Sequence, residues 1–454
     1  MGTKRKITAL AMSLMLLFGC AQPQISSSSE PPQSPPPEEE TVTVMASVPE
    51  KAPEPVPEPE PLPEPEPEPE PEITGTISFD EALTADLNAE QLALIEDYFY
   101  IYYSSLAYLT PMDPSALFFE EPMGQVQAYL HLITFEVLTG VRSMQPEDLT
   151  LTRVEYDIVI EEIIERETGE LMVHLSETNT MNFTYLPEVD AETINMPHAF
   201  YMKETDEGWK LTRHWQNEDF HFLVSDLILP ESPRDWQGYS DVDACITLLD
   251  EIRDTILLDA EDHIDGRAAQ LERTAEAPAL PNYAYNREAA MEYSDEWIGK
   301  RNYRWAYYDD YGGNCNNYAS QVLHAGGIPM DISGPISLQW KWYGDWLNEE
   351  QTTAGRSPAW SGVEEFYEYL RYNRWYGPMT DLGAGYFEGE PGDLLQFGAI
   401  GDWKHTVVIS EVVKDENGEI IDYLINSNTA DRRNFPAMAY VYTDHRLIRI
   451  LGWN

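Results

Sequence analysis

Hydrophobic positions along the chain fall into distinct regimes. An unbroken apolar run, Ile7 to Phe18, follows Lys4, Arg5 and Lys6. It is too short to span a bilayer comfortably and has the form of a secretory signal core. Residues 21–75 carry almost no apolar surface: serines at 26–29, prolines at 35–37, then Glu-Pro repeats through Pro71. Beyond them, residues 76–230 predict a small α+β domain. Helices are expected over Ala85–Tyr103 and Met123–Leu138, and strands over Leu149–Glu162, Leu171–Thr178, His198–Glu204 and Gly208–Trp215. Helices first and a run of strands after them resemble, in architecture alone, a cone-shaped domain of the nuclear-transport-factor-2-like type. Residues 231–280 form a connector built on a helix over Asp241–Thr274, with Ile246, Leu249, Ile252, Ile256 and Leu257 as its apolar positions. Prolines 278 and 281 mark the boundary to the last domain, residues 281–454.

That domain opens with a helix from Asn286 to about Lys300. A glycine turn, Gly312-Gly313, then delivers Cys315 to the first turn of a second helix. Its face continues at Tyr318, Val322 and Ala325, and Gly326-Gly327 with Pro329 end it. Trp340, Trp342, Trp346, Trp360 and Trp375 punctuate a long irregular region, either lining a substrate groove or packing a loop-rich domain. Pro391–Phe397 predicts a turn and strand, Asp402–Ser410 a further strand, and Asn417-Gly418 a tight hairpin returning through Tyr423–Asn428. Pairing about that turn sets Ser410 opposite Ile425, Ile409 opposite Asn426 and Val407 opposite Asn428. His405 then shares a sheet face with Asn428, its diagonal neighbour, and Asn426 lies one pair further away.

Composition alters this picture in two ways. The net charge of −52 excludes nucleic acid and anionic surfaces as natural partners, although part of it resides in the Pro/Glu tract. That tract predicts a disordered, extended stalk, reaching on the order of 140 Å at about 3.1 Å per residue. The cysteines are Cys20, Cys245 and Cys315, too few for a disulfide framework. Leu17-Phe18-Gly19-Cys20 resembles a bacterial lipobox, which implies that residues 1–20 are a lipoprotein signal and that Cys20 is diacylated. The chain is then expected as an exported, membrane-anchored lipoprotein on the outer face of the cytoplasmic membrane, reaching into the cell wall. Ala21 does not suggest inner-membrane retention. Cys245 reads as a small core residue of its helix.

Unpaired N–H groups and the positive end of the dipole at a helix N-terminus favour thiolate over thiol, and the Cys315 N–H can later hold an oxyanion. A cysteine there, a histidine on a strand and a polar residue on the next strand form a thiol-hydrolase triad, in which the third residue holds the imidazole tautomer. Cys315, His405 and Asn428 are the candidates, with Asn426 as the fallback orienter. His214 and His221 lack metal-ligand spacing and read as structural; no cofactor or metal is expected. Gln321 and His324 read as packing or helix-end residues. Arg432 and Arg433 either meet a substrate carboxylate or belong to an internal Asp–Arg tie with Asp431.

Residues from about 283 to 454 resemble the "putative amidase" domain of bacterial exported proteins, which is similar to the papain-like NlpC/P60 and CHAP peptidoglycan hydrolases. The resemblance rests on Tyr285–Ala290, Gly312–Gln321, Gly392–Phe397, Trp403–Val408 and Asn428–Asn434. The chain departs from the family pattern at Asn314, where Asp is usual, and at Asn428, where His is frequent. The resemblance implies an α+β, papain-like (NlpC/P60-type) thiol hydrolase domain cleaving amide bonds of cell-wall peptides. Two other readings stand beside it. In one, a wall-binding or sensor lipoprotein uses the amidase-like domain only to grip peptide. In the other, the middle domain binds a small ligand.

Overall fold

The computed structural model describes residues 70–219, 221, 223–224, 242–270, 274–309, 313–342 and 356–454, with side chains excluded over 264–270. Cys20, the lipobox, the Pro/Glu tract to residue 69, Gly312 and Trp346 lie outside the described residues.

The protein is mixed α+β, built on a large, mostly antiparallel sheet. The first strand, β1 (Glu72–Phe79), begins inside the stretch read as linker and pairs parallel with β2 (Leu151–Glu165). The linker expectation is therefore corrected at 72–75: alternation beginning at Ile73 satisfies a sheet edge. Helices α1 (Ala89–Ala107) and α2 (Pro122–Ser143) come between these strands. Asn88 starts α1 through a capping box, its Oδ1 accepting from the Glu90 and Gln91 N–H groups while Gln91 Oε1 accepts from the Asn88 N–H. Strands β3 (Leu171–Phe183), β4 (Leu186–Thr205) and β5 (Gly208–Gln216) continue the antiparallel sheet, and helix α3 (Val242–Gln270) packs on α2. Cys245 is half-buried on α3. No helix among the described residues is long and apolar enough to cross a membrane.

The C-terminal segment contributes β6 (Tyr283–Ala284), helices α4 (Arg287–Trp297), α5 (Cys315–Ala325) and α6 (Val363–Tyr372), and strands β7 (Met379–Asp381), β8 (Leu394–Ala399), β9 (Asp402–Lys414), β10 (Ile420–Ser427), β11 (Arg432–Pro436) and β12 (Asp444–Trp453). The main path of the sheet runs β1-β2-β3-β4-β11-β10-β9-β8-β12-β6. Its two halves join where Arg432 and Arg433 of β11 pair with Thr193 and Glu192 of β4.

Strand alternation in the C-terminal half feeds two cores. Leu395, Phe397, Val407, Ile409 and Ile425 face one cluster, shared with α1, α2 and the segment Ala437–Tyr442. Leu394, Val408 and Ile448 face the other, shared with Tyr318, Ala319, Val322 and Leu323 of α5 and with Trp340, Trp360 and Phe366. Trp340 and Trp360 are thus packing residues, whereas Trp375 is largely exposed.

The β9–β10 register corrects the expected one. The turn at Asn417-Gly418 closes Asp415 against Glu419, and Ile420 pairs with Lys414; an irregularity before Asp422 then brings Leu424 opposite Glu411, as expected, and a bulge after it sets Ile425 opposite Ile409 and Asn426 opposite Val408. The extra residue on β9 moves the remaining pairs by one, which reverses which side chains share a face.

Candidate active site

Helix α5 starts without a side-chain cap. Gly313 enters it with φ +105°, a left-handed conformation that a Cβ would strain, and Thr429 Oγ1 stands 3.4 Å from where that Cβ would be. Asn314, at the N-cap position, spends its side chain elsewhere. Its Oδ1 accepts from the Tyr308 N–H (3.2 Å) and from Asn317 Nδ2 (2.7 Å), and its Nδ2 donates to Asn428 Oδ1 (2.8 Å). Its backbone N–H donates to Thr429 Oγ1 (2.6 Å). The first turn therefore presents Cys315, a free thiol, with N–H groups that no side chain caps. Cys315 is 6% exposed.

The polar residues that follow the cysteine are mostly scaffold. Asn316 Nδ2 donates to the Ala359 and Trp360 carbonyls, Asn317 accepts from Trp360 Nε1, and Ser320 donates to the Trp360 carbonyl. Gln321 accepts from the Tyr293 hydroxyl, and His324 Nδ1 meets the Ile328 carbonyl at the helix end, in keeping with the packing and helix-end roles read from the sequence. Tyr285 and Arg287 tie the start of the domain to the Gly392-Asp393 turn. Tyr285 donates to the Gly392 carbonyl, and Arg287 pairs with buried Asp393 at 2.8 Å. Burial pushes the Asp393 carboxyl up to about 6, against the pull of Arg287.

His405 lies on β9 opposite Phe397, almost fully buried, with its ring 5.8 Å from that of Tyr440. Its Nε2 is buried without a hydrogen-bond partner among the described residues. Helix α5 packs on β9 and β10. Cys315 is within electrostatic range of Tyr442, whose hydroxyl is pushed well above its ordinary pKa by burial first and then by Asp219 and Cys315. The Tyr440 and Tyr442 rings are 6.4 Å apart. No hydrogen bond joins Cys315 and His405 among the described residues.

The structure does not bring Asn428 to His405 as the expected register did. The bulge leaves Asn428 bonded to Asn314, with no hydrogen bond to His405 among the described residues. Its Nδ2 is buried and unpartnered among the described residues, and Asn428 lines a small polar cleft beside Trp297, Lys300, Asn314 and Gln321. Asn426 turns to α4, donating to Ser294 Oγ and Asp295, and accepts from the Asn434 N–H. The two positions at which the chain departs from the family pattern, 314 and 428, touch each other.

Asp431 pairs with Arg301 (2.8 Å), Arg433 with Glu192 (2.8 Å), and Arg432 with Glu218. The loop is tied internally, but by partners far away in sequence. Sequence reasoning also missed how the buried histidines assemble in the N-terminal half. His198 bridges Glu177 (2.9 Å) and His214 (3.0 Å), and the His131 ring lies 5.0 Å from His214 and 5.7 Å from His221. No group of three or more His, Cys, Asp or Glu among the described residues is arranged to hold a metal ion.

Residues 284–451 match the family described as "Putative amidase domain". This amidase segment contains Cys315, His405 and Asn428. The chain is also 30% identical over 242 residues to Uncharacterized protein YhbB of Bacillus subtilis (strain 168), a match spanning 52% of this chain and 64% of that protein, less than two thirds of its length. A crystal structure of a putative aromatic ring hydroxylase from Novosphingobium aromaticivorans aligns with 29% of this chain and 90% of its own at 14% identity, with a TM-score of 0.21. A likeness that slight says nothing about fold or activity.

Proposed function

We propose that the amidase segment is a papain-like thiol amidohydrolase, with Cys315 as nucleophile and His405 as general base. The amidase-domain match supports hydrolysis of an amide bond. The observation that carries the base is the unpartnered, buried Nε2 of His405 on β9, a strand against which α5 packs, and the free thiol at the uncapped N-terminus of that helix carries the nucleophile. Buried polar atoms are nearly always paired, and a base kept open for a substrate proton is a recognised exception. The Cys315 sulfur adds to the substrate carbonyl as His405 takes the thiol proton. The oxygen gains negative charge at the helix N-terminus, near the Cys315 N–H. The C–N bond then breaks, His405 returns the proton to the leaving amine, and water hydrolyses the thioester.

Asn428 acts at the nucleophile loop through Asn314 and offers its remaining donor to the adjoining cleft. The substrate class is a peptide of the cell wall, and the N-terminal signal with Cys20 anchors the enzyme to the outer face of the cytoplasmic membrane. Cys315→Ala and His405→Ala should each abolish amine release from peptidoglycan fragments. Release that persists in Cys315→Ala overturns the mechanism. A second reading, a peptide-gripping wall-binding lipoprotein, is favoured by the low exposure of Cys315 and by the missing hydrogen bond to His405. Binding of the fragments without turnover by the wild type would select it.

A further inference from the structure

Two acidic residues that lie outside the amidase segment reach its candidate centre. Glu218 and Asp219 follow β5, and both are buried. Glu218 pairs with Arg432, whose guanidinium lies over the rings of Phe435 (4.2 Å) and Tyr440 (4.7 Å). Asp219 Oδ1 accepts from the Tyr442 hydroxyl at 3.3 Å. Tyr440 is the aromatic neighbour of His405, with rings 5.8 Å apart, and Tyr442 stacks on Tyr440 at 6.4 Å. Two adjacent carboxyls of the N-terminal half therefore fix, directly or through Arg432, the stacked tyrosines that adjoin His405. Glu218 Oε2 and Asp219 Oδ2 are themselves buried without partners among the described residues. Such carboxyls cost stability, and pairing alone does not account for keeping both.

We infer that Asp219 is a positioning residue for the candidate centre, holding Tyr442 against Tyr440 and through it the Tyr440 ring against His405, so that the reactivity of the amidase-like segment depends on a side chain from the preceding domain. This rests on the thiol-hydrolase reading above. The Asp219 carboxyl is pushed up to about 6 by burial, against Arg432 and its bond with Tyr442. Glu218 is pushed up to about 7 by burial, against Arg432 and with Asp219 and Glu177 adding to the rise. The surrounding groups are thus Arg432, Glu218, Tyr440, Tyr442 and Cys315.

The test is the second-order rate of iodoacetamide alkylation at Cys315, resolved by peptide mass spectrometry in the full chain between pH 5 and 8. Cys245 in the same sample serves as a reference thiol. Wild type is compared with Asp219→Asn, Tyr442→Phe and His405→Ala, each with its melting temperature. Asp219→Asn and Tyr442→Phe are expected to slow Cys315 by about tenfold at pH 7, the worth of the Tyr442–Asp219 hydrogen bond that holds the tyrosine pair against His405. Asp219→Asn should also remove an inflection near pH 6, with melting temperatures and Cys245 rates unchanged. If His405→Ala slows Cys315 but Asp219→Asn and Tyr442→Phe do not, the inference fails and the thiol-hydrolase reading stands. If His405→Ala has no effect, that reading itself fails. If Asp219→Asn slows Cys315 only while lowering the melting temperature, and a stable Tyr442→Phe does not slow it, the role is structural and the inference is overturned.

Discussion

The contact between Asn314 and Asn428 makes a quantitative demand on the two family departures. In Asn314→Asp, the acceptor role of the side chain survives: the Tyr308 N–H at 3.2 Å and Asn317 Nδ2 at 2.7 Å still find an oxygen. The donor to Asn428 Oδ1 at 2.8 Å is replaced by a second oxygen, so two acceptors face each other in a site where both residues are 2% exposed. Rotating the Asn428 amide would present its unpartnered Nδ2 instead, which recovers part of the bond. What remains is the desolvation of a carboxylate held by three neutral donors, and the expected cost is about 2 kcal/mol. Asn428→His alone keeps an acceptor nitrogen for Asn314 Nδ2 and should cost about 1 kcal/mol. Combined, the substitutions create a charge-assisted pair across the same contact. The double variant should therefore be more stable than the sum of the single losses by about 1.5–3 kcal/mol. Urea unfolding of the four proteins at pH 7 measures that coupling. Additivity within about 0.5 kcal/mol would show that the two side chains do not work as a pair and would refute the reasoning.

The remaining expectations follow from buried charge. Burial lowers the His131 imidazole to about 4, with a further push from His198, so it stays neutral in the fold at a pH where the unfolded chain binds a proton. Stability is then fully present above about 6.5 and is lost as pH falls to about 4; the shift from 6.5 to about 4 corresponds to about 3 kcal/mol. His214, held well below its ordinary value by burial, adds to the same loss. Urea midpoints should fall across this window and fall less in His131→Leu; an unchanged slope would contradict the linkage. Arg432→Ala strands Glu218 and Asp219 in the interior and should cost about 3–5 kcal/mol, whereas Glu218→Gln should be near neutral at pH 7. Equal losses in the two variants would contradict that assignment.

Local signals were legible where one element decides its own form. The helix opening at Cys315 needs only a glycine turn, apolar residues at helical spacing and a glycine stop, and Asn417-Gly418 marks the turn between β9 and β10. The register is not legible from that turn, because two irregularities follow it, the last an extra residue on β9 after the Leu424–Glu411 pair. That single extra residue is enough to separate Asn428 from His405 and send it to Asn314. The same limit hides the joint between the two halves. The first part of β4 holds Pro187, several acids and Asn195 with φ +51°, all turn chemistry in isolation, yet Glu192 and Thr193 pair with β11. From that joint follow the ties of Arg432 to Glu218 and Tyr442 to Asp219, across more than 200 residues of chain. Motif blocks thus locate the candidate residues Cys315 and His405, whereas the groups around them come from a strand pairing that no local pattern encodes. Any assay of the amidase segment is therefore an assay of both halves, and Asp219 is the side chain through which that dependence can be measured.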